Sequence, residues 1–155
     1  MPTHRETRLL PYSQGQVFDL VADVEKYPEF LPWCVACRIK ARETPTRFTA
    51  DMAIGFKMVR EKFTSRVTIA RPDKITVEYL DGPFKYLVNT WEFKPTTGPD
   101  GKPATAVEFY LEFEFRSKLL QSIIGLLFEE AVRRMVAAFE TRAAVLYASA
   151  NSPAS

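Results

Sequence analysis

The chain has 155 residues, of which 46% are hydrophobic and 26% are charged. This length suits one domain with a single core, and the composition excludes an intrinsically disordered chain. The formal net charge of +2 provides no strong basic field, so we expect no DNA partner. We predict a single domain over residues 1–150 and a frayed tail at 151–155.

The N-terminus lacks the apolar segment of a signal peptide. No stretch of the sequence reaches the ~20 apolar residues that a membrane-spanning helix needs. We therefore expect a cytoplasmic protein with reduced thiols, with a peripheral position at the inner membrane as an extension of that expectation.

Cys34 and Cys37 form a Cys-x-x-Cys pair. A zinc site needs about four ligands, and the sequence has no second cluster of Cys or His to supply them. Val35 and Ala36, between the cysteines, suit a strand, which would place the two thiols on opposite faces. We predict a structural role for both cysteines and no metal site.

The N-terminal quarter predicts a strand from Thr7 to Leu10 and then a helix with Ser13 as its N-cap. Apolar residues recur at helical spacing after Ser13. A second short helix or turn is predicted from Val24 to Phe30. A strand followed by one or two short helices thus opens the fold.

Six segments then alternate apolar and polar residues with a period of two, which predicts antiparallel strands with one buried face. Their first apolar residues are Val35, Phe48, Phe63, Ile75, Leu87 and Val107. Asp81-Gly82-Pro83 is a turn signal, and a Pro- and Gly-rich loop is predicted from Pro95 to Pro103.

The last segment, Ser117 to about Ser149, contains no proline and is rich in helix formers. Its apolar stripe is long enough to cross a whole sheet. The predicted fold is α+β, with a curved antiparallel sheet of about seven strands wrapped around this C-terminal helix. Leu119 and Leu126 exceed one stripe, so residues Leu119–Phe128 are a candidate for peripheral membrane contact.

Catalytic machinery is hard to find in this sequence. The single histidine, His4, is predicted to lie outside the core, which argues against a nucleophile–histidine pair. Glu108, Glu112 and Glu114 share the polar face of their strand, where cross-strand charge pairs are expected. No phosphate-binding or dinucleotide-binding motif is present. We predict that the protein is not an enzyme.

Two polar residues, Ser65 and Asn89, occur on predicted apolar faces. A buried amide needs partners, which backbone groups or a ligand carbonyl could supply to Asn89. Phe30 and Trp33, within a proline-restricted segment, either pack helix onto sheet or form the rim of a pocket. Phe84 follows the turn at Gly82 and offers the same two interpretations.

Several motifs together resemble a known family. They are Tyr27-Pro28-x-Phe30-Leu31-Pro32-Trp33-Cys34, Asp81-Gly82-Pro83-Phe84 with Trp91-x-Phe93, Val107-x-Phe109, and Phe139-Glu140-x-Arg142-Ala143. The chain resembles the START-like family that contains coenzyme Q-binding proteins and ribosome-association toxins of the RatA type. This resemblance implies a helix-grip fold with a hydrophobic tunnel. It also implies ubiquinone binding in the mitochondrial members, a block of ribosomal subunit association in the toxins, and catalysis in the more remote cyclases and aromatases.

The hypothesis that follows is a non-catalytic carrier or chaperone of a polyprenyl quinone that supports respiratory electron transport. Ubiquinone is the expected bound ligand, and no cofactor is required. A ribosome-binding toxin and a cyclase-like enzyme are the alternatives, since fold alone does not choose among them. The candidate ligand-binding residues are Phe30, Trp33, Met52, Ile54, Phe56, Val67, Val77, Phe84, Asn89, Trp91 and Phe109.

Overall fold

The computed structural model describes residues 3–31, 33–56 and 59–147, with the backbone alone at 56 and 59. The predicted tail at 151–155 lies outside this part of the chain. The described elements, in chain order, are β1 (Thr3–Leu10), α1 (Gln14–Ala22), a 3₁₀ helix (Val24–Glu29), β2 (Cys34–Thr44), β3 (Arg47–Phe56), β4 (Val59–Ala70), β5 (Lys74–Asp81), β6 (Phe84–Thr97), β7 (Pro103–Phe115) and α2 (Lys118–Tyr147).

All seven strands form one curved antiparallel sheet in the order β1-β7-β6-β5-β4-β3-β2. Strands β2 to β7 are each paired with their neighbours in sequence, whereas β1 pairs with β7 at the far side. Helix α2 lies against the apolar face and buries Ile124, Val132, Met135, Phe139 and Ala143. The predicted α+β helix-grip fold is confirmed.

Helix α1 begins where the sequence predicts. The Ser13 hydroxyl accepts a hydrogen bond from the Gln16 backbone N–H at 3.2 Å, and Gln16 Oε1 accepts one from the Ser13 N–H at 3.0 Å. This reciprocal capping box satisfies two N–H groups that have no partner within the helix. Val17, Phe18 and Val21 are buried, so the cap orients an apolar helix face toward the sheet.

Strand β1 starts at Thr3, four residues before the predicted start. His4 lies opposite Leu111 of β7 and is half-buried, with its ring centroid 6.0 Å from that of Phe109. His4 is thus not one of the buried core residues, as predicted, although its ring borders the core at Phe109. Pairing with β7 from Thr105 to Glu112 outweighs the weak strand signal of this charged segment.

A β-bulge at the start of β2 overturns the prediction that the thiols of Cys34 and Cys37 lie on opposite faces of the strand. Cys34 pairs with Ile54 and Ala36 with Ala53, so Val35 is an extra residue in the strand. The bulge shifts the alternation of faces: Cys34 and Cys37 are both buried as free thiols, and Val35 is 64% exposed.

The Pro- and Gly-rich loop is shorter than predicted, because β6 continues to Thr97 and β7 begins at Pro103. Strand β5 pairs with β6 only as far as Glu92. Pro95 therefore lies where β6 has a single partner strand, a position that tolerates a missing N–H group.

Two contacts join the connecting segments to the sheet. Glu25, in the 3₁₀ helix, accepts a hydrogen bond from the Ile39 N–H of β2 at 3.0 Å. The Arg116 N–H donates to the Pro83 carbonyl at 2.9 Å. This second bond links the start of α2 to the turn between β5 and β6.

Candidate ligand-binding cavity

A cavity of about 200 Å³ lies between the apolar face of the sheet and helix α2, and it is partly open to solvent. Its wall is formed by α1, the 3₁₀ helix, the segment before β2, strands β2 to β7, and α2. The lining residues are Val21, Val24, Tyr27, Leu31, Trp33, Cys37, Ala50, Met52, Ile54, Phe63, Ser65, Val67, Ile75, Val77, Phe84, Leu87, Asn89, Trp91, Phe109, Leu111, Phe113, Phe115, Ile124, Phe128, Ala131, Val132, Met135 and Phe139.

Two groups of packed aromatic rings belong to this wall. Trp91 is paired across the sheet with Phe109, at a centroid distance of 4.7 Å, and contacts Phe139 of α2 at 5.3 Å. In a separate cluster Phe84 stacks on Phe115, with centroids 4.6 Å apart. Rings at such distances add specific contacts to the burial of their area.

The described wall contains no charged side chain, and its polar groups are few. Asn89 donates from Nδ2 to the Tyr110 carbonyl at 2.9 Å and accepts from Trp91 Nε1 at 3.2 Å. The hydroxyl of Tyr27 donates to the Val21 carbonyl, and burial raises the pKa of that phenol well above its usual range. Of the two partners considered for Asn89, a backbone carbonyl or a ligand carbonyl, the structure shows a backbone carbonyl as the acceptor for Nδ2. A neighbouring side chain supplies the donor to Oδ1.

The Cys37 thiol also faces this wall. Burial, with smaller contributions from Cys34, Glu25 and Asp51, raises the pKa of Cys37 to about 12. Burial likewise raises the pKa of Cys34 to about 11. Both groups are thiols at neutral pH, and a protonated thiol is a poor nucleophile.

The whole domain around this cavity matches a known family. Residues 10–140 match the family described as polyketide cyclase/dehydrase and lipid transport. This chain is a member of that family, in its START-like branch.

Two relatives of this START-like chain carry informative names. The ribosome association toxin RatA of Escherichia coli K12 is 38% identical over 96% of this chain and 91% of its own length. The mitochondrial coenzyme Q-binding protein COQ10 homolog B of Xenopus laevis is 33% identical over 97% of this chain, which spans 61% of that protein. Neither is named for a catalysed reaction.

A START superfamily protein from Mycobacterium smegmatis has a similar solved structure, with a TM-score of 0.76. It is 21% identical and the match covers 93% of this chain and 98% of the other. At that identity the likeness shows the helix-grip fold alone.

Most residues predicted to bind a ligand lie in the wall of this START-like cavity. They are Trp33, Met52, Ile54, Val67, Val77, Phe84, Asn89, Trp91 and Phe109. Phe30 lies outside the wall: its ring packs against Phe139, at 5.2 Å, and beneath the Arg142 guanidinium. The side chain of Phe56 is outside the described part of the structure.

The residue-by-residue prediction missed the contribution of the helices. Val21, Val24 and Tyr27 come from α1 and the 3₁₀ helix, and six residues of α2 complete the wall: Ile124, Phe128, Ala131, Val132, Met135 and Phe139. The apolar stripe of the last helix contained the signal for several of these residues. Periodicity shows that such a stripe is buried but not whether it meets a packed core or a cavity.

The glutamates of β7 lie away from the cavity, as predicted. Glu108 pairs with Lys94 at 3.1 Å, and Glu114 pairs with Lys85 at 3.0 Å. Glu112 accepts hydrogen bonds from Tyr86 and Tyr110, and those bonds lower its pKa. The predicted cross-strand pairs on the outer face of the sheet are confirmed.

The outer face of α2 exposes two large apolar residues on the same side of the helix. Leu119 is 71% exposed and Leu126 is 88% exposed. Ile124, which lies between them in the sequence, lines the cavity. In the described part of the chain, no helix combines the length and the hydropathy that a membrane span requires.

Proposed function

We propose that this chain binds a polyprenyl quinone such as ubiquinone in the cavity and carries it without chemical change, in support of respiratory electron transport. The observation that carries the proposal is the uncharged and largely apolar wall of a cavity that is partly open to solvent. An apolar ligand gains ~25 cal/mol for each Å² of apolar surface removed from water. Named relatives add support, since one of them is called a coenzyme Q-binding protein.

The size of the cavity constrains how such a ligand binds. A volume of about 200 Å³ lies below the range of about 300–1,000 Å³ found for small-molecule sites. The quinone ring and the first part of the isoprenoid chain would occupy the cavity, while the rest of the tail passes through the opening. Met52 and Met135, both in the wall, can adapt to such a chain because thioether side chains are flexible and polarisable.

A tail that leaves the cavity needs an apolar surface outside it, and we propose an anionic phospholipid bilayer. Leu119 and Leu126 are exposed at the start of α2. Arg116 and Lys118 are exposed beside them and have no ion-pair partner in the part of the chain that the structure describes. Exposed leucines next to cations suit the boundary between headgroups and acyl chains of an anionic membrane.

The proposal is tested by organic extraction of freshly purified protein from a quinone-producing host, followed by mass spectrometry and by titration with added ubiquinone. Ala131 lines the cavity, so Ala131→Phe should fill it and abolish quinone binding. Ala144→Phe, on the exposed side of the same helix, is the matched control and should bind as the native protein does. The proposal fails if the native protein neither retains nor binds a quinone.

Contact with the ribosome is a second candidate function. RatA, at 38% identity, is named for ribosome association. Three exposed basic residues, Arg38, Lys40 and Arg42, occur along strand β2. Among the described residues, only Arg38 has a nearby carboxylate, that of Asp51 at 3.8 Å. A register shift after Ile39 divides the three cations between the two faces of the strand, since Arg42 pairs with Phe48 and its guanidinium lies 5.5 Å from that ring. Exposed cations along an edge strand supply the electrostatic part of RNA binding.

The ribosome candidate is tested with ribosomal subunits that have been separated by removing magnesium. Magnesium is then restored in the presence of the protein, and sedimentation measures how many subunits join. Inhibition of subunit joining by the native protein, with loss of the effect in Arg38→Glu/Lys40→Glu/Arg42→Glu, would support it. The Ala131→Phe variant separates the two functions, because filling the cavity should leave a ribosome contact on β2 unchanged.

A further inference from the structure

The indole N–H of Trp33 is a buried hydrogen-bond donor with no acceptor among the described residues. It differs in this respect from the other polar groups of the cavity wall discussed above. Trp91 Nε1 donates to Asn89, and the Tyr27 hydroxyl donates to the Val21 carbonyl. Trp33 itself lines the cavity.

A buried donor without a partner is unfavourable, and folded proteins contain few of them. Binding sites for apolar molecules combine an apolar wall with a small number of placed polar groups that fix the ligand's orientation. A site that offers a hydrogen bond also rejects analogues that lack the matching group, because its own polar atom then stays unpaired. The Trp33 N–H is an unpaired polar group on a residue of such a wall.

The backbone around Trp33 is held in place on both sides. Its carbonyl accepts a hydrogen bond from the Gly55 N–H of β3 at 2.8 Å. The next residue, Cys34, donates from its N–H to the Leu31 carbonyl at 3.2 Å, and Leu31 donates to the Tyr27 carbonyl at 2.8 Å. The Trp33 backbone is therefore tied to β3 through its carbonyl, which lowers the cost of ordering this residue around a ligand.

We propose that the Trp33 N–H donates a hydrogen bond to a carbonyl oxygen of the bound molecule. The cavity would then select apolar ligands that carry a carbonyl acceptor, such as quinones, over hydrocarbons of the same shape. This inference rests on the proposed function, since it requires that an apolar ligand enters the cavity.

The test compares two small probes, 2-methyl-1,4-naphthoquinone and 2-methylnaphthalene, which differ in their carbonyl oxygens. Trp33→Phe keeps an aromatic ring but removes the donor. It should weaken binding of the naphthoquinone about tenfold, equivalent to about 1.4 kcal/mol, and change binding of the hydrocarbon less than about twofold. Trp91→Phe is the matched control, because the Trp91 N–H already donates to Asn89, so any loss should be similar for the two probes.

Thermal unfolding without ligand provides an independent readout. Trp33→Phe removes an unpaired buried N–H, so the variant should unfold at the same temperature as the native protein or higher. Equal weakening of both probes, or no weakening of either, would overturn the role of Trp33 and leave the carrier function standing. If neither probe nor ubiquinone binds the native protein, the proposed function fails and this inference fails with it.

Discussion

Trp91 and Asn89 lie two residues apart on the same face of β6, and the indole N–H of Trp91 donates to Asn89 Oδ1 at 3.2 Å. Asn89 in turn donates to the Tyr110 carbonyl of β7 at 2.9 Å. The amide thus connects a cavity-lining indole to the backbone of the next strand. Each of its two polar atoms has a partner without a ligand, so Asn89 has less need of a quinone oxygen than the unpaired N–H of Trp33.

Replacing Asn89 with leucine should therefore lower stability rather than improve an apolar pocket. The substitution leaves the buried N–H of Trp91 without its acceptor, at an expected cost of about 1–3 kcal/mol in the free energy of unfolding. Urea denaturation measures this cost. The double variant Asn89→Leu/Trp91→Phe should recover part of the loss, and strictly additive effects would contradict the coupling.

The two cysteines predict a falling stability at alkaline pH. Burial raises the pKa of Cys34 to about 11 and that of Cys37 to about 12, above an ordinary value of 9.0. Above the ordinary value the unfolded chain binds fewer protons than the folded one, so the free energy of unfolding decreases as pH rises from about 9 to about 12. Urea denaturation at about pH 8 and about pH 10.5 should show the decrease, and Cys37→Ala should reduce its slope. An unchanged slope would assign the decrease to other groups.

The same burial predicts that the thiols react slowly. The thiolate attacks iodoacetamide and displaces iodide, so at neutral pH the folded protein should be alkylated far more slowly than the protein in denaturant. Mass spectrometry of the two samples gives the rates. Rapid alkylation of Cys37 in the folded state would show that the cavity admits the reagent and that the thiolate forms readily there.

Two glycines should respond in opposite directions to alanine. Gly82 has a φ of +144°, and a Cβ there would lie 2.6 Å from the Cβ of Phe63, so Gly82→Ala should destabilise the turn before Phe84. Gly125 is exposed in α2 with nothing within 4 Å of an added Cβ. Gly125→Ala should raise stability by about 1 kcal/mol, because alanine is the better helix former. Thermal and urea unfolding of both variants test this contrast.

Membrane contact can be tested by flotation of the protein with vesicles of phosphatidylcholine and phosphatidylglycerol in equal amounts. Leu126→Glu should abolish co-flotation. Val145→Glu is the matched control, since Val145 is 70% exposed on the same helix and lies roughly 39 Å from Leu119 at about 1.5 Å per residue. Equal behaviour of the two variants, or flotation with pure phosphatidylcholine, would contradict an electrostatic contact at the start of α2.

Much of the fold was predictable because the strands from Phe48 onward alternate with few interruptions, and the last helix carries a long apolar stripe. The start of β2 was not, since no local signal distinguished the extra residue Val35 from an ordinary strand residue. Strand β1 depends on pairing with β7, more than 90 residues away in sequence. Such pairing outweighs local propensity and is invisible in a single segment.

The candidate site was predicted to a similar degree. Residues such as Val67 and Trp91 follow from period-two faces, and the structure places them in the cavity wall. Phe30 did not follow, because a non-repeating segment gives no face assignment and its ring packs on the outer side of Phe139. The unpaired N–H of Trp33 depends on which acceptors surround it in space, and no sequence pattern records that.

Strand β2 is one of the two edge strands of the sheet, and its irregular pairing with β3 affects how easily a strand of another molecule could pair with it. Register shifts interrupt its ladder with β3 after Cys34, Ile39 and Arg42, and Glu25 already accepts one of its outward N–H groups. A strand that is bulged, basic and partly capped is a poor template for a strand of another molecule. This edge of the sheet should therefore resist pairing with a strand of another copy of the chain, and the arginines of β2 contribute to that resistance whether or not the chain binds RNA.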